Sequence, residues 1–412
     1  MGRQFSTSNF FRQMPNVLLA RYFQARGLRL DVDFATLKET KIDPLLQAWL
    51  RLSDDERGSM DADFREIFDL GSEKGFRAVL DEAKWHLMMN ARDTEAYSAF
   101  VDQLAGLSNH SERAMVAFLD HHQYWKGATH FYHADTLSYW RKRKHLPHVA
   151  AAVDEGSLQE LADLIRTYFR YTEGRGNNCV VEPFRRGELD YFFAYPEDYS
   201  KNSVEWVQGQ FDRRPHNPAF EVIYVYSRKD GTLDLNCPCS YKAIEPLQGI
   251  FATAILKLPE LPPDPKDGSV YDLNLLLHRD FEFVFDPGSG IYSVAVKKLR
   301  LSSIMKRGDR VTLEADTSHN LQAVYDLLDR IKKSLPLHAY HVTQVELSVS
   351  VAMDPSKPLK TLTVRITYPN SCSLKYDELD LKLRTMLHDS SIEPKESTEA
   401  LEAADAKDPT DA

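Results

Sequence analysis

The hydrophobic period of this 412-residue chain changes once, at Thr172-Glu173-Gly174-Arg175-Gly176-Asn177-Asn178-Cys179, and that change limits the folds open to it. Before it, apolar residues recur at helical spacing; after it, they alternate with period two. Asn16–Arg26 carries Val17, Leu18, Tyr22 and Phe23 and stops at Gly27. Ser53 followed three residues later by Glu56 is a capping box, and Phe64, Ile67 and Phe68 continue at helical spacing. Further helices are predicted at Phe76–Met89, Asp93–Leu104, Ser111–Tyr124, Thr129–Arg143 and Ser157–Tyr171, with Asp93, Ser111 and Ser157 as caps.

Beyond Cys179 the runs ELDYFFAY, FEVIYVYSRKDGTLDLN, DFEFVFDPGSGIYSVAVKKLRL, RVTLEAD and VTQVELSVSVAMDPSKPLKTLTVRITY read as strands. Three hairpins are predicted, turning at Lys229-Asp230-Gly231, at Pro287–Gly290 and around Asp354-Pro355-Ser356. Helices are predicted at Tyr241–Leu256, Ser318–Lys333 and Leu374–Leu387. Hairpins followed by helices imply an antiparallel sheet region with helices on one face. The fold class is therefore α+β: an all-α domain over 1–172, a first α+β lobe over 176–257, and a second over 271–388. Four prolines between Pro259 and Pro265 make 258–270 a stiff connector, and 389–412, acidic and without apolar periodicity, is predicted to be disordered.

Charge matters only once it is localised. The net charge is −10, but Asp389–Ala412 holds eight acids and two lysines, which leaves the body near balance at −4. That gives no support for non-specific nucleic-acid binding, although a local patch can still bind. The cysteines, Cys179, Cys237, Cys239 and Cys372, are too few and scattered for a disulfide framework. Cys237-Pro238-Cys239 reads as two small apolar residues around a proline at a strand end. With no signal peptide, these point to a reducing, cytoplasmic location. The longest apolar run, Ile250–Leu256, is far too short to span a bilayer, so no membrane partner is expected. The start, MGRQFS, fits the myristoylation pattern at Gly2 and Ser6, a short pattern that also reads as a polar leader before the first helix.

Leu119–His148 holds six of the fourteen histidines. Met115, Phe118, Leu119 and His122 share one helical face, and Gly127 allows a break before a second helix with His130, His133, Leu137 and Trp140. Antiparallel pairing brings His122, His130 and His133 together with Asp120, a donor set for a divalent transition metal. Histidines packed between helices without any ion are the simpler reading, and no His-Glu-x-x-His pattern is present. The triplet Asp120-His121-His122 is similar to that of the DHH phosphoesterases, which also carry aspartate-rich metal motifs upstream; this chain has none. Arg141 and His148 fit the spacing of the HEPN ribonuclease pair, but Pro147 interrupts the helix that pair needs.

Trp140, Arg141, Lys142, Arg143 and Lys144 form the candidate nucleic-acid contact, since cations beside an aromatic ring can grip phosphate and stack on a base. Cations in the last turn of a helix also offset its dipole, and that reading ranks first. The densest polar constellation, Arg185, Arg186, Asp190, Glu197, Arg213 and Arg214, is a candidate ligand seam beside the change of period. A charged network is the competing reading. No phosphate-binding glycine loop, dinucleotide fingerprint or nucleophile elbow occurs.

The leading reading is a cytoplasmic interaction or regulatory accessory protein working within a multiprotein complex, with a protein partner, no cofactor and no covalent chemistry of its own. The runner-up is a metal-dependent phosphodiesterase or nuclease built on His121–His133. A nucleic-acid binder using Trp140–Lys144 ranks third.

Overall fold

A computed structural model describes residues 4–39, 41–207, 209–263, 269–352 and 358–394. The fold is α+β, as the change of period implies, with twelve α-helices and twelve strands among the described residues. It divides into two compact units. Unit 1 is Met1–Thr136 with Phe184–Gly187 and Ser200–His216; unit 2 is Leu137–Pro183, Glu188–Tyr199 and Asn217–Ala412.

Unit 1 holds eight helices: α1 (Thr7–Gln13), α2 (Asn16–Ala25), α3 (Asp43–Leu50), α4 (Asp54–Leu70), α5 (Glu73–Lys84), α6 (Thr94–Ala105), α7 (His110–Asp120) and α8 (Trp125–Thr136). The capping box forms as expected: Ser53 accepts from the Glu56 N–H, and the Glu56 carboxylate accepts from the Ser53 N–H at 2.9 Å. Asp93 caps α6, but α7 is capped by Asn109 in place of Ser111, because the Asn109 side chain reaches the Glu112 N–H. The core is aromatic. Phe64 of α4 lies 4.5 Å from Phe10, 4.9 Å from Tyr22 and 5.3 Å from Trp49, ring centre to ring centre. Helices α1 and α3 escaped the sequence reading because a seven- or eight-residue helix shows only one repeat of its apolar face.

Unit 2 follows, with β1 (Arg141–Arg143), α9 (Glu155–Glu173), the first half of β2 (Val181–Arg186, of which Phe184–Arg186 belongs to unit 1), β3 (Leu189–Ala194), β6 (Val222–Ser227), β7 (Thr232–Asn236) and α10 (Ile244–Ala254); β4 (Lys201–Val207) and β5 (Gln210–His216) are the ribbon of unit 1. The first sheet runs β1–β7–β6–β3–β2 and is antiparallel at each described pairing. Leu161, Ile165 and Phe169 recur every four residues along α9 and pack with Leu247 and Phe251 of α10 on Phe192, Tyr224 and Leu235. Asp154, outside the predicted helix, caps α9 by accepting from the Ser157 N–H.

The second sheet, β12–β11–β10–β8–β9, comprises β8 (Ile291–Ser303), β9 (Arg310–Glu314), β10 (Tyr340–Val351), β11 (Lys360–Thr367) and β12 (Ser371–Cys372). Helices α11 (Ala323–Ile331) and α12 (Glu378–Asp389) pack on its apolar face through Val324, Leu328, Leu383 and Leu387. Helices lie on one face of this sheet, and Ser, Thr, Lys and Arg side chains line the other.

Three expectations need correction. Thr129–Arg143 is not one helix: α8 ends at Thr136, and Arg141–Arg143 becomes an edge strand, with Arg141 opposite Leu235 and Lys142 opposite Asp234. The hairpin at Pro287–Gly290 does not form, since Phe281, Phe283 and Phe285 pack on the core from an irregular segment and only Ile291 onward is strand. The C-terminal tail does not loosen at Asp389, because Ser390, Ile392 and Glu393 are buried. The Asp354-Pro355-Ser356 turn, part of the proline-rich connector, the first three residues of MGRQFS and the chain beyond Pro394 lie outside the described residues.

Candidate functional site

The histidine cluster does not converge. α7 ends at Asp120, His122–Tyr124 forms a short 3-10 turn, and α8 restarts at Trp125. Gly127 is no break: it lies inside α8, where an added Cβ would meet the Glu82 carboxyl group at 2.2 Å. Asp120 pairs with Arg21 at 2.5 Å. His121 reaches the Gln103 side-chain oxygen at 3.0 Å and lies edge-on to Phe100; burial lowers its pKa. His122 and His130 each direct Nδ1 at a helix carbonyl one turn back, Phe118 at 3.2 Å and Lys126 at 2.7 Å, so these nitrogens donate. His130 also stacks on Phe184, ring centres 4.3 Å apart. His133 lines a pocket of about 330 Å³ with Glu66, Asp69, Leu70, Thr129, Tyr132 and Thr136. Among the described residues no group of three or more His, Cys, Asp or Glu side chains is placed to hold a metal. His122, His130, His133 and Asp120 therefore do not form the ligand set their spacing suggested.

The basic segment turns inward. Trp140, Lys142 and Arg143 are 2%, 5% and 4% exposed, which rules out a phosphate-gripping surface made by these three. Lys142 donates to Glu393 at 2.5 Å, and Glu393 is fully buried. Arg143 donates to the Pro262 carbonyl at 2.5 Å and to Gln248, while Lys144 donates to the Pro394 carbonyl. Arg141 lies over the Tyr241 ring, 5.6 Å from its centre. Arg141, Lys142 and Arg143 are thus distributed by strand geometry, alternate side chains facing opposite ways.

Around Glu393 the polar groups form a connected interior. His388 Nε2 is 3.7 Å from the Glu393 carboxylate, and its Nδ1 donates to the Glu393 carbonyl. Arg384 donates to the carbonyls of Lys375 and Leu374 and lies over the Tyr376 ring, whose hydroxyl donates to Asp234. Burial pushes the Glu393 carboxyl up, but Lys142, His388 and Arg384 together hold it below its ordinary value. Burial pushes His388 down despite Glu393, favouring the neutral ring. Sequence reading missed this cluster because its members lie up to 251 residues apart.

Four of the candidate seam residues, Arg185, Arg186, Arg214 and Glu197, have partners within their own unit. In unit 1, Arg186 is bound by Asp135 at 3.0 Å and Asp81 at 2.8 Å, and Arg185 lies over Trp85. Arg214 pairs with Asp212 at 2.8 Å across two residues of β5, and Arg213 is exposed. In unit 2, Asp190 is buried, and Glu197 accepts from Asn178 and Asn217. These are structural networks of the kind that imitates an active site.

Cysteine chemistry is likewise restricted. Cys237 and Cys239 pack half-buried against the core of the first sheet, as their reading as small apolar residues implies, and are in addition joined to each other in a disulfide. Burial pushes the Cys179 thiol up to about 12 and raises that of Cys372, so neither offers a thiolate at neutral pH.

One element presents its side chains outward. β4 and β5 form a two-stranded sheet, joined through Gly209 at φ 75°. Their register pairs Trp206 with Phe211, Val204 with Arg213 and Asn202 with Pro215, so these six share one face. Val204, Trp206 and Phe211 are 61%, 75% and 56% exposed, and the two rings meet edge to face at 5.8 Å. The opposite face carries Glu205, Asp212 and Arg214. The sequence signal is the alternation of Asn202, Val204 and Trp206, but it is short, and the face it forms is completed only by cross-strand pairing with Phe211 and Arg213.

What the geometry defines is an α+β protein with an α-helical N-terminal unit, a charged interior and an apolar, outward-facing ribbon. No family model matches the chain, and no curated protein matches it either.

Proposed function

We propose that this protein is a cytoplasmic interaction or regulatory accessory protein, acting within a multiprotein complex and binding its protein partner through the β4–β5 ribbon. It works without a cofactor and without covalent chemistry of its own. The observation that carries this reading is the exposed Trp206–Phe211 pair beside Val204 and Arg213. Large aromatic and arginine side chains are the residues that dominate binding energy at interfaces. A two-stranded ribbon buries little by itself, and both its strands are edges, open to added strands or to an apolar partner surface.

Size-exclusion chromatography of native-level extracts tests this. The full chain is expected to elute in an assembly well above its 47.3 kDa mass, and the Trp206→Glu/Phe211→Glu variant at the mass of the free chain. Elution of the unaltered chain alone, or an assembly indifferent to the double substitution, overturns the reading. Equal melting temperatures of the two proteins establish that the variant is folded.

A further inference from the structure

The end of the second sheet formed by the β8–β9 hairpin holds a different kind of surface. Between Arg300 and Arg310 the chain carries four cations, Arg300, Lys306, Arg307 and Arg310, against the single acid Asp309. At the tip, Ile304 and Met305 are 62% and 84% exposed. Their outward position is fixed by the backbone: Ser303 Oγ accepts from the N–H groups of Met305 and Lys306, at 3.2 and 3.1 Å, and the turn closes through Gly308 at φ 95°.

Behind the tip, on the polar face of the sheet, Arg310 is paired with Ser302 and Arg300 with Thr312. Arg300 Nε donates to Thr343 Oγ1 at 3.2 Å, and that hydroxyl is 2.8 Å from Ser302 Oγ. Among the described residues neither Arg300, Arg307 nor Arg310 makes an ion pair, while Lys306 has only the exposed Asp309 at 3.4 Å. Burial and the neighbouring Arg310 both lower the Arg300 pKa, as expected for two guanidiniums lacking a shared anion.

We propose that this hairpin end docks on a bilayer leaflet bearing anionic phospholipids, with Ile304 and Met305 entering the acyl boundary and the cations meeting headgroup phosphates. Arg300 lies three residue steps along the strand from Ser303, a setback of roughly 10 Å, which matches apolar side chains at the acyl boundary and cations at headgroup depth. An acidic protein is the poorer occupant. Two protruding apolar side chains cannot supply the roughly 800 Å² per partner of a specific protein interface, whereas peripheral membrane contact needs only a few such anchors with supporting cations. The proposal is independent of the ribbon and replaces the expectation that no membrane is involved.

Co-sedimentation of the full chain with vesicles tests it. Binding is expected to equimolar phosphatidylcholine and phosphatidylserine and not to phosphatidylcholine alone, and to weaken as salt rises. Each cation near such a surface is worth about fivefold, so Lys306→Ala/Arg307→Ala should weaken binding roughly 30-fold. Met305→Asp, an exposed position that leaves the fold unaltered, should weaken it at least about tenfold. Failure to sediment, equal sedimentation with neutral vesicles, or indifference to both variants overturns the proposal. Calorimetric binding of inorganic phosphate without vesicle binding also overturns it, assigning the arginines to a free anion.

Discussion

Glu393→Gln is the substitution that most sharply separates a charged interior from a phosphate-binding surface. The Glu393 carboxylate is fully buried and lies 2.5 Å from Lys142, itself 5% exposed. Removing the negative charge leaves a buried ammonium with no counter-ion; breaking such a pair from one side costs about 3–5 kcal/mol. Each kcal/mol moves the midpoint of a domain of this size class by about 2–4 °C, so the unit 2 transition should fall by roughly 6–20 °C. Lys142→Met added to Glu393→Gln removes the stranded charge and should recover most of the loss, because a buried pair contributes little over an apolar replacement. Differential scanning calorimetry and urea titration both read this. A loss below about 1 kcal/mol, or a double variant no more stable than the single one, would refute the placement of Lys142 inside the fold.

Two further outcomes follow from the same interior and from unit 1. The His388 pKa is lowered in the fold, chiefly by burial, so its contribution is complete above the ordinary value of 6.5 and is lost as pH falls through the folded value; Glu393, also lowered, adds a second loss below 4.5. Urea midpoints between pH 7 and pH 5 should therefore decline, and His388→Gln should flatten that decline; an unchanged slope would contradict the assignment. Gly127→Ala should destabilise unit 1 by about 1–3 kcal/mol, because the new Cβ displaces the buried Glu82 carboxyl from His86. Gly58→Ala, in α4 with nothing within 4 Å, should stabilise by about 0.5–1 kcal/mol, and equal signs for the two would refute the packing argument.

The change of period at Thr172–Cys179 made the α+β class legible, because apolar spacing depends only on neighbouring residues. The capping box at Ser53 was legible for the same local reason. What was not legible came from long-range pairing. Arg141–Arg143 reads as the end of a helix until β7 supplies an edge with Leu233, Asp234 and Leu235 opposite it. Glu393 reads as the start of an acidic tail until Lys142 lies beside it. The histidines of Leu119–His148 share a stretch of sequence but not a point in space, since α7 and α8 are interrupted by the His122–Tyr124 turn, His121 turns to Gln103, and His122 and His130 each bond a carbonyl one turn back. The candidate docking face was present in the sequence as alternation over Asn202–Trp206, yet only register with β5 placed Phe211 beside Trp206.

Photo-crosslinking in living cells tests the docking claim most directly, with a benzoylphenylalanine at Phe211 and a control at Leu50, whose exposures are 56% and 57%. A single dominant adduct from position 211, absent from position 50, is the predicted result. No adduct from either position, or the same set from both, would contradict it.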